Sequence, residues 1–382
     1  MIRLAEVRAL PVRHVAGLMT GTSMDGLDVA LCRIRPGERL TFDLLAFETV
    51  ALPAELRGAL AAERLCDVGA IARAHARLGR FFAAALAGVL ERHPLDLHLI
   101  GSHGQTVWHE HRVSTLQLGE PSAMTLRFGC PVVHDFRATD VAAGGSGAPL
   151  VPYVDHRLLG GRGEAILAVN IGGIANFTAL PGEGGIDRLR GMDCGPGNMV
   201  LDGLVECYTK GARRVDLDGA MAARGRVREG LLKDLLGHPF FAEAPPKSTG
   251  REQFGQAFVL DLLARAAPRT EQDWWDLLAT AAELTAFGVF DAWRRYVAPE
   301  VRVDVVVVSG GGARNPELMR RLAGHFGPVP VRASDGYGLP VDAKEAIAFA
   351  VLASDRIDGR PTNVPSITGA ERQVLLGKIA EA

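Results

Sequence analysis

The sequence lacks the signatures by which nucleotide-binding and secreted proteins are most often recognised. No G-x-x-x-x-G-K-[ST] occurs, since "PPKSTG" supplies K-S-T without the preceding glycine loop, and no G-x-G-x-x-G opens a helix after a strand. A P-loop enzyme and a Rossmann dehydrogenase are both disfavoured on that ground. The five cysteines (Cys32, Cys66, Cys130, Cys194 and Cys207) are an odd set with no C-x-x-C pair, so neither a disulfide framework nor a zinc ribbon is indicated. A reducing compartment, the cytoplasm, is expected. No block of single-sign charge is present: 42 basic residues face 44 acidic ones, which predicts no nucleic-acid or anionic-membrane partner. The most apolar run, residues 81–90, is about half the length that spans a bilayer. The N-terminal "MIRLAEVRALPVRHVAG" scatters arginines where a secretory signal needs an apolar core, and its first dozen residues read as an appended strand or tail.

Glycine, by contrast, is plentiful. The chain has 45 among its 382 residues, with 48% hydrophobic residues, which describes a globular α/β protein with many tight turns and enough length for two packed lobes. Residues 14–20, 28–34 and 41–50 read as three strands of a meander. Helices at 56–65 and 71–93 follow, then an apolar strand at 97–100, a helix at 121–128 and a strand at 131–136. "GSHGQTVWHEH" reads as a loop between them. The same order then begins again with strands at 165–170, 177–180 and 187–192, a buried strand at 305–308, and a helix marked by Leu318, Leu322 and Phe326. The glycine- and proline-dense "AAGGSGAPLVPY" is the expected linker, dividing the chain into lobes 1–143 and 144–382, with the last helices able to pack back on the first lobe.

Three glycine-rich turns each follow an apolar strand: "GTSMDG", "NIGGIAN" and "SGGGARN". Glycine lets backbone N–H groups converge on an anion, and although one such turn is usually a plain strand connection, three across both halves point to a nucleotide. Near the end, Ala343, Ala346, Ile347, Ala350 and Val351 follow a packed helical stripe from which Glu345 is displaced. Asp193 closes a strand before a Pro-Gly turn, a place from which a carboxylate can act as a base or make an Asx turn.

The segments "GLMTGTSMDGLDVAL", "GSHGQTVWH", "DFRATDVAAGGSGAPLVPYVD", "NIGGIANFT", "DCGPGN", "PPKSTGREQF", "SGGGARNPELM" and "GLPVDAKEAIAFA", taken in order, resemble the anhydro-N-acetylmuramic acid kinase family over nearly the whole chain. That resemblance implies the acetate and sugar kinase, heat-shock chaperone and actin superfamily, with duplicated ribonuclease-H-like βββαβαβ lobes and an active-site cleft between them. It implies ATP and Mg²⁺ as cofactors, an amino sugar as the small-molecule partner, and a role in peptidoglycan recycling, with a homodimer left open. Asp193 would be the base that activates water, and Glu345 would face the sugar. Gly21, Thr22, Ser23, Met24, Asp25, Gly26, Leu27 and Asp28 would form the first phosphate hairpin, with Asp25 toward the metal. Asn170, Gly172 and Gly173 would form the second phosphate turn, and Gly310, Gly311, Gly312 and Asn315 the adenosine side, ahead of a helix N-terminus. His103, Arg137 and Asp140 would line the sugar pocket, Arg137 pairing with a carboxylate. His103, His109 and His111 lack zinc spacing, and "PPKSTGRE" receives no role. Three rivals remain at this stage: another kinase on the same scaffold, an ATP-switched interaction protein, and a two-carboxylate glycoside hydrolase.

Overall fold

In the computed structural model, residues 2–21, 24–38, 40–60 and 65–381 are described. The chain divides into two compact units, residues 1–158 with 343–382 and residues 159–342. The break therefore falls after the helix Val151–Leu159 has begun, not at residue 143, and the last forty residues belong to the first unit. Hydrogen bonds explain the placement. The Tyr153 hydroxyl and the Arg157 Nε both donate to Asp355, at 2.7 and 2.9 Å, tying this helix to the C-terminal segment.

The first unit is built on a six-stranded sheet. Strands β1 (Arg13–Met19), β2 (Gly26–Arg35) and β3 (Thr41–Ala51) form an antiparallel meander. β4 (Leu99–Ser102) joins β1 in parallel. A separate hairpin, β5 (Gln105–Glu110) with β6 (Ser114–Leu118), interrupts the sheet, so "GQTVWHE" is strand where the sequence suggested loop. β7 (Val132–His134) extends the sheet in parallel beyond β4, and the terminal strand Lys378–Ala380 closes that edge. β1 is buried along nearly its whole length because helices cover both faces. Ala16 and Leu18 belong to one apolar cluster with Leu78, Phe82 and Leu86 of the helix Val68–Arg92. Gly17, pointing the other way, meets the helix Lys344–Ile357. The segment before β1 is a short helix, Leu4–Ala9, rather than a strand or tail. Buried Arg13 holds it, donating to the carbonyls of Val7 and Arg8 and to Asp358.

The second unit repeats the plan. β8 (Ile166–Ile171), β9 (Ile174–Leu180) and β10 (Arg190–Pro196) are the meander, and β11 (Val305–Ser309) and β12 (Val331–Ala333) add in parallel. The five-stranded order, β10-β9-β8-β11-β12, matches β3-β2-β1-β4-β7 of the first unit position for position. This is the duplicated ribonuclease-H-like plan. Leu167, Val169 and Ile171 of β8 and Val306 and Val308 of β11 enter one apolar core with Leu277, Leu278, Ala281 and Leu284 of the long helix Glu271–Tyr296. That helix opens on a capping box between Thr270 and Asp273. The expected strand at 187–192 begins only at Arg190; Ile186–Arg188 is a 3₁₀ turn.

Candidate active site

In the first unit the helix Lys344–Ile357 can lie directly on the sheet because Gly17 and Gly101 are register partners on β1 and β4. A Cβ on either would overlap the backbone carbonyl of Ala346 or Phe349. Side chains at those two positions would lift the helix, and with it Glu345, which stands in its first turn. The half-buried Glu345 carboxyl titrates above its ordinary value, first because it is desolvated and then because Asp28 of β2 faces it; the charges of Lys344 and Arg137 oppose the rise.

Arg137, before the short helix Ala138–Ala142, is aimed by two acceptors. Its Nε donates to Nε2 of His103 at 3.0 Å and its Nη1 to the carbonyl of Gly147 at 2.9 Å. Burial lowers its pKa to about 10, with Glu345 pulling the other way. His103 is 3% exposed, rests on the Phe349 ring with centroids 4.7 Å apart, and is held far below its usual pKa by burial and by Arg137. It is thus a neutral acceptor, which leaves the proton on Nδ1. The turn from β1 toward β2 is anchored by Thr20, whose Oγ1 donates to the carbonyl of Gly104 at 3.0 Å. Leu27 is buried in the core, Met24 takes φ +55°, and exposed Asp25 accepts at its carbonyl from Leu52 N–H at 3.0 Å. Asp28 accepts from the Thr49 hydroxyl at 2.6 Å. Thr22 and Ser23 lie outside the described residues.

In the second unit Asp193 sits on β10, opposite Asn176, immediately before a β-bulge at Gly195. The bulge re-aims the strand at this point. Oδ2 of Asp193 accepts from the Thr249 N–H at 2.8 Å, and the Asp193 N–H reaches the carbonyl of Lys247 at 3.5 Å. The "KSTGRE" loop is therefore the wall against which the carboxylate stands. Desolvation is the largest influence on Asp193 and lifts its pKa to about 7, against the Thr249 hydrogen bond and the Lys247 charge. Lys247 itself is turned away, donating to the Phe240 carbonyl at 3.0 Å over the Phe240 ring.

The β8–β9 turn is only Gly172 and Gly173. Their carbonyls accept from the backbone N–H groups of Asn198 and Gly197 at 2.8 and 2.9 Å, which seats the helix Asn198–Tyr208 on the turn. At the end of β11 the Ser309 hydroxyl donates to Val169 O at 3.1 Å and contacts Asn170 Oδ1 at 3.3 Å, locking the two strand ends together. Gly310 follows with φ +77°, where a Cβ would come 2.7 Å from both Asn170 Oδ1 and Ile171 O. Gly311 and Gly312 then turn as a 3₁₀ helix into the N-terminus of the helix Pro316–Phe326. Backbone donors and a helix N-terminus beside two glycine turns suit phosphate groups.

The sequence profile of the anhydro-N-acetylmuramic acid kinase family matches residues 13–382. The anhydro-N-acetylmuramic acid kinase of Caldanaerobacter subterraneus subsp. tengcongensis is 40% identical, over the full length of both chains. That of Salinibacter ruber is 43% identical over 96% of each chain. Among solved structures, the activator of the 2-hydroxyisocaproyl-CoA dehydratase from Clostridium difficile with bound ADPNP covers 91% of this chain and 96% of that one, with a TM-score of 0.44 at 14% identity.

The chain belongs to the anhydro-N-acetylmuramic acid kinase family.

Two residues that the resemblance to anhydro-N-acetylmuramic acid kinases brought forward have other work in the fold. Asp140 is fully buried and accepts from Gly147 N–H, Asn363 Nδ2 and Thr368 Oγ1 at 2.8, 2.9 and 2.9 Å. Its carboxylate ties the 144–147 loop to the C-terminal segment and so supports Arg137 from behind. Asn315 is the N-cap of the helix Pro316–Phe326, its Oδ1 accepting from Glu317 and Leu318 N–H at 3.0 and 3.1 Å. Other residues were not singled out from sequence. Thr249 lies in "PPKSTGRE", a segment to which the sequence alone gives no role. Asp202, lifted to about 7 by burial, reads in sequence only as part of an amphipathic helix. Gln105 and Thr20 carry the β4–β5 corner, and no sequence signal separates them from ordinary turn residues.

Proposed function

We propose that this chain uses ATP to convert 1,6-anhydro-N-acetylmuramic acid and water to N-acetylmuramic acid 6-phosphate and ADP. The observation that carries the reading is the half-buried Asp193 carboxylate, placed just before a strand bulge, fixed by one backbone N–H and lifted by desolvation to about 7. A base does most where its pKa is near the working pH. Asp193 takes one proton from a water as the water oxygen bonds to C1. The C1–O6 bond breaks with its electron pair on O6, and O6 displaces ADP from the γ-phosphorus. The second water proton stays on the new C1 hydroxyl, so the balance closes with one proton on Asp193 for release to solvent.

Arg137, held by His103 and Gly147, gives a carboxylate of the sugar a fixed cationic partner, and Glu345 beside it accepts from a sugar hydroxyl or the water. The glycine turns at 172–173 and 310–312 receive the phosphates of ATP. Among the described residues no three metal-ligating side chains gather, so a metal caged by protein alone does not fit. One Mg²⁺ carried by phosphate oxygens and water, with Asp25 as a single carboxylate, does fit, and its chemistry would be to offset phosphate charge. A helix long and apolar enough to cross a membrane is absent among the described residues.

The test is incubation with ATP, Mg²⁺ and the anhydro sugar in ¹⁸O-labelled water. Label at C1 with phosphate on O6 is expected. ADP release that ignores the sugar, or ring opening without ATP, would overturn the reading.

A further inference from the structure

Lys344 is the first residue of the helix Lys344–Ile357, a poor place for a lysine. An ammonium there opposes the positive end of the helix dipole, and burial strips it of water. Lys344 is nevertheless only 4% exposed, and its Nζ lies 2.7 Å from Oδ1 of Asp155, which is 3% exposed. The N-cap, Ala343, has no side chain able to cap the helix, so the charge in this first turn is met by the Asp155 carboxylate on the ammonium.

Asp155 belongs to the helix Val151–Leu159, which also grips the far end of the Glu345 helix through Tyr153, Arg157 and Asp355. Arg157 in turn donates to the carbonyl of Gly37 at 2.8 Å. One neighbouring helix therefore holds the Glu345 helix at two points, and the nearer lies one residue before Glu345. The charged groups acting on Glu345 are Asp28 from β2, Arg137 after β7, and Lys344 from its own helix.

We propose that the buried Lys344–Asp155 pair is a positioning device for Glu345, fixing the helical turn that aims its carboxylate and supplying positive charge against Asp28. Neither residue touches substrate in this account. The inference rests on the reading of Glu345 as a sugar-facing group, and its test separates the two.

In the full chain, Lys344→Met and Lys344→Arg are compared with the parent, together with Asp155→Asn, which preserves volume should Lys344→Met not fold. The first readout needs no turnover: Glu345 titration is followed by carboxylate infrared difference spectra against Glu345→Gln. Lys344→Met and Asp155→Asn are expected to move that titration by at least half a pH unit, Lys344→Met upward. Lys344→Arg should restore it. In the kinase assay both disruptive variants should lose tenfold or more in kcat, with KM for ATP within twofold. A folded Lys344→Met or Asp155→Asn with Glu345 titration and kcat both unchanged overturns the proposal. If the titration moves as expected while the parent shows no sugar-dependent ADP release, the pair stands and the functional reading falls.

Discussion

The two units share one strand order and put it to different use. In the first, six residues from Thr20 to Asp25 separate β1 from β2; in the second, Gly172 and Gly173 alone separate β8 from β9. Their carboxylates differ as well. Glu345 stands on a helix laid on the sheet through two glycines and has Arg137 and Lys344 to moderate its charge. Asp193 stands on a bulged edge strand and has one backbone N–H close to it. Burial is the largest influence on both, opposed at Glu345 by the charges of Lys344 and Arg137 and at Asp193 first by the Thr249 N–H and then by Lys247. A duplicated topology returns its strand ends to the same corner, and the chemistry depends on which side chains the local backbone delivers there.

The sharpest way to break this contrast is Asp193→Asn. Loss of the general base should lower kcat by about 10³-fold, with ATP affinity nearly unchanged by calorimetry; full activity would remove Asp193 from its role. The same carboxylate sets the pH dependence. Only the ionised form can take a proton, so kcat/KM should fall about tenfold per unit below pH 7, the value near which Asp193 titrates. Stability runs the opposite way. The folded state raises the Asp193 pKa above its unfolded value near 4, so its contribution is present below that value and is lost as pH rises toward 7. Asp193→Asn should therefore melt higher than the parent at pH 8 and close to it at pH 4. Glu345→Gln, whose charge is moderated by neighbours, should cost less, about 10–100-fold in kcat, and should move KM for the sugar.

The glycine positions test the architecture behind each carboxylate. Gly101→Ala drives a methyl into the Phe349 carbonyl and should cost about 3 kcal/mol by denaturant unfolding, with sugar turnover falling as Glu345 shifts. Gly310→Ala meets Asn170 Oδ1 and the Ile171 carbonyl oxygen at 2.7 Å and also forces φ +77°, so about 1–2 kcal/mol is expected, with the kinetic change confined to KM for ATP. If both variants changed the same kinetic parameter, the division of labour between the two sheets would be wrong.

The sheets were legible in the sequence because their central strands are continuous apolar runs, "ILAV" and "VVVV", set off by glycine turns. Their edges were not. β5 reads as a loop because its outer residues Trp108, His109 and Glu110 face solvent and give no alternation. The division of the chain was missed for a related reason. "AAGGSGAP" has the composition of a linker, yet its backbone is tied down by Asp140, a long-range contact that no local pattern records. Among site residues, Asp193 and Glu345 stood out as acids beside turn and helix signals, whereas the pairing of Asp193 with Thr249 joins residues far apart in sequence and could be seen only in the fold.

Asn315 offers the smallest and most discriminating test, because a role toward nucleotide and a role as a helix cap make opposite demands on one side chain. Its Oδ1 is already committed to two backbone N–H groups of the helix Pro316–Phe326. Asn315→Ala should cost about 1 kcal/mol of stability through the lost cap. Asn315→Asp keeps an accepting oxygen and adds negative charge at a helix N-terminus, so it should hold stability or raise it slightly. The same charge would repel phosphate. If the residue only caps, KM for ATP stays near the parent value in both variants; if it faces the nucleotide, Asn315→Asp raises KM for ATP while leaving the melting temperature intact. That split between affinity and stability decides whether the Asn315 side chain serves the nucleotide or only the helix it caps.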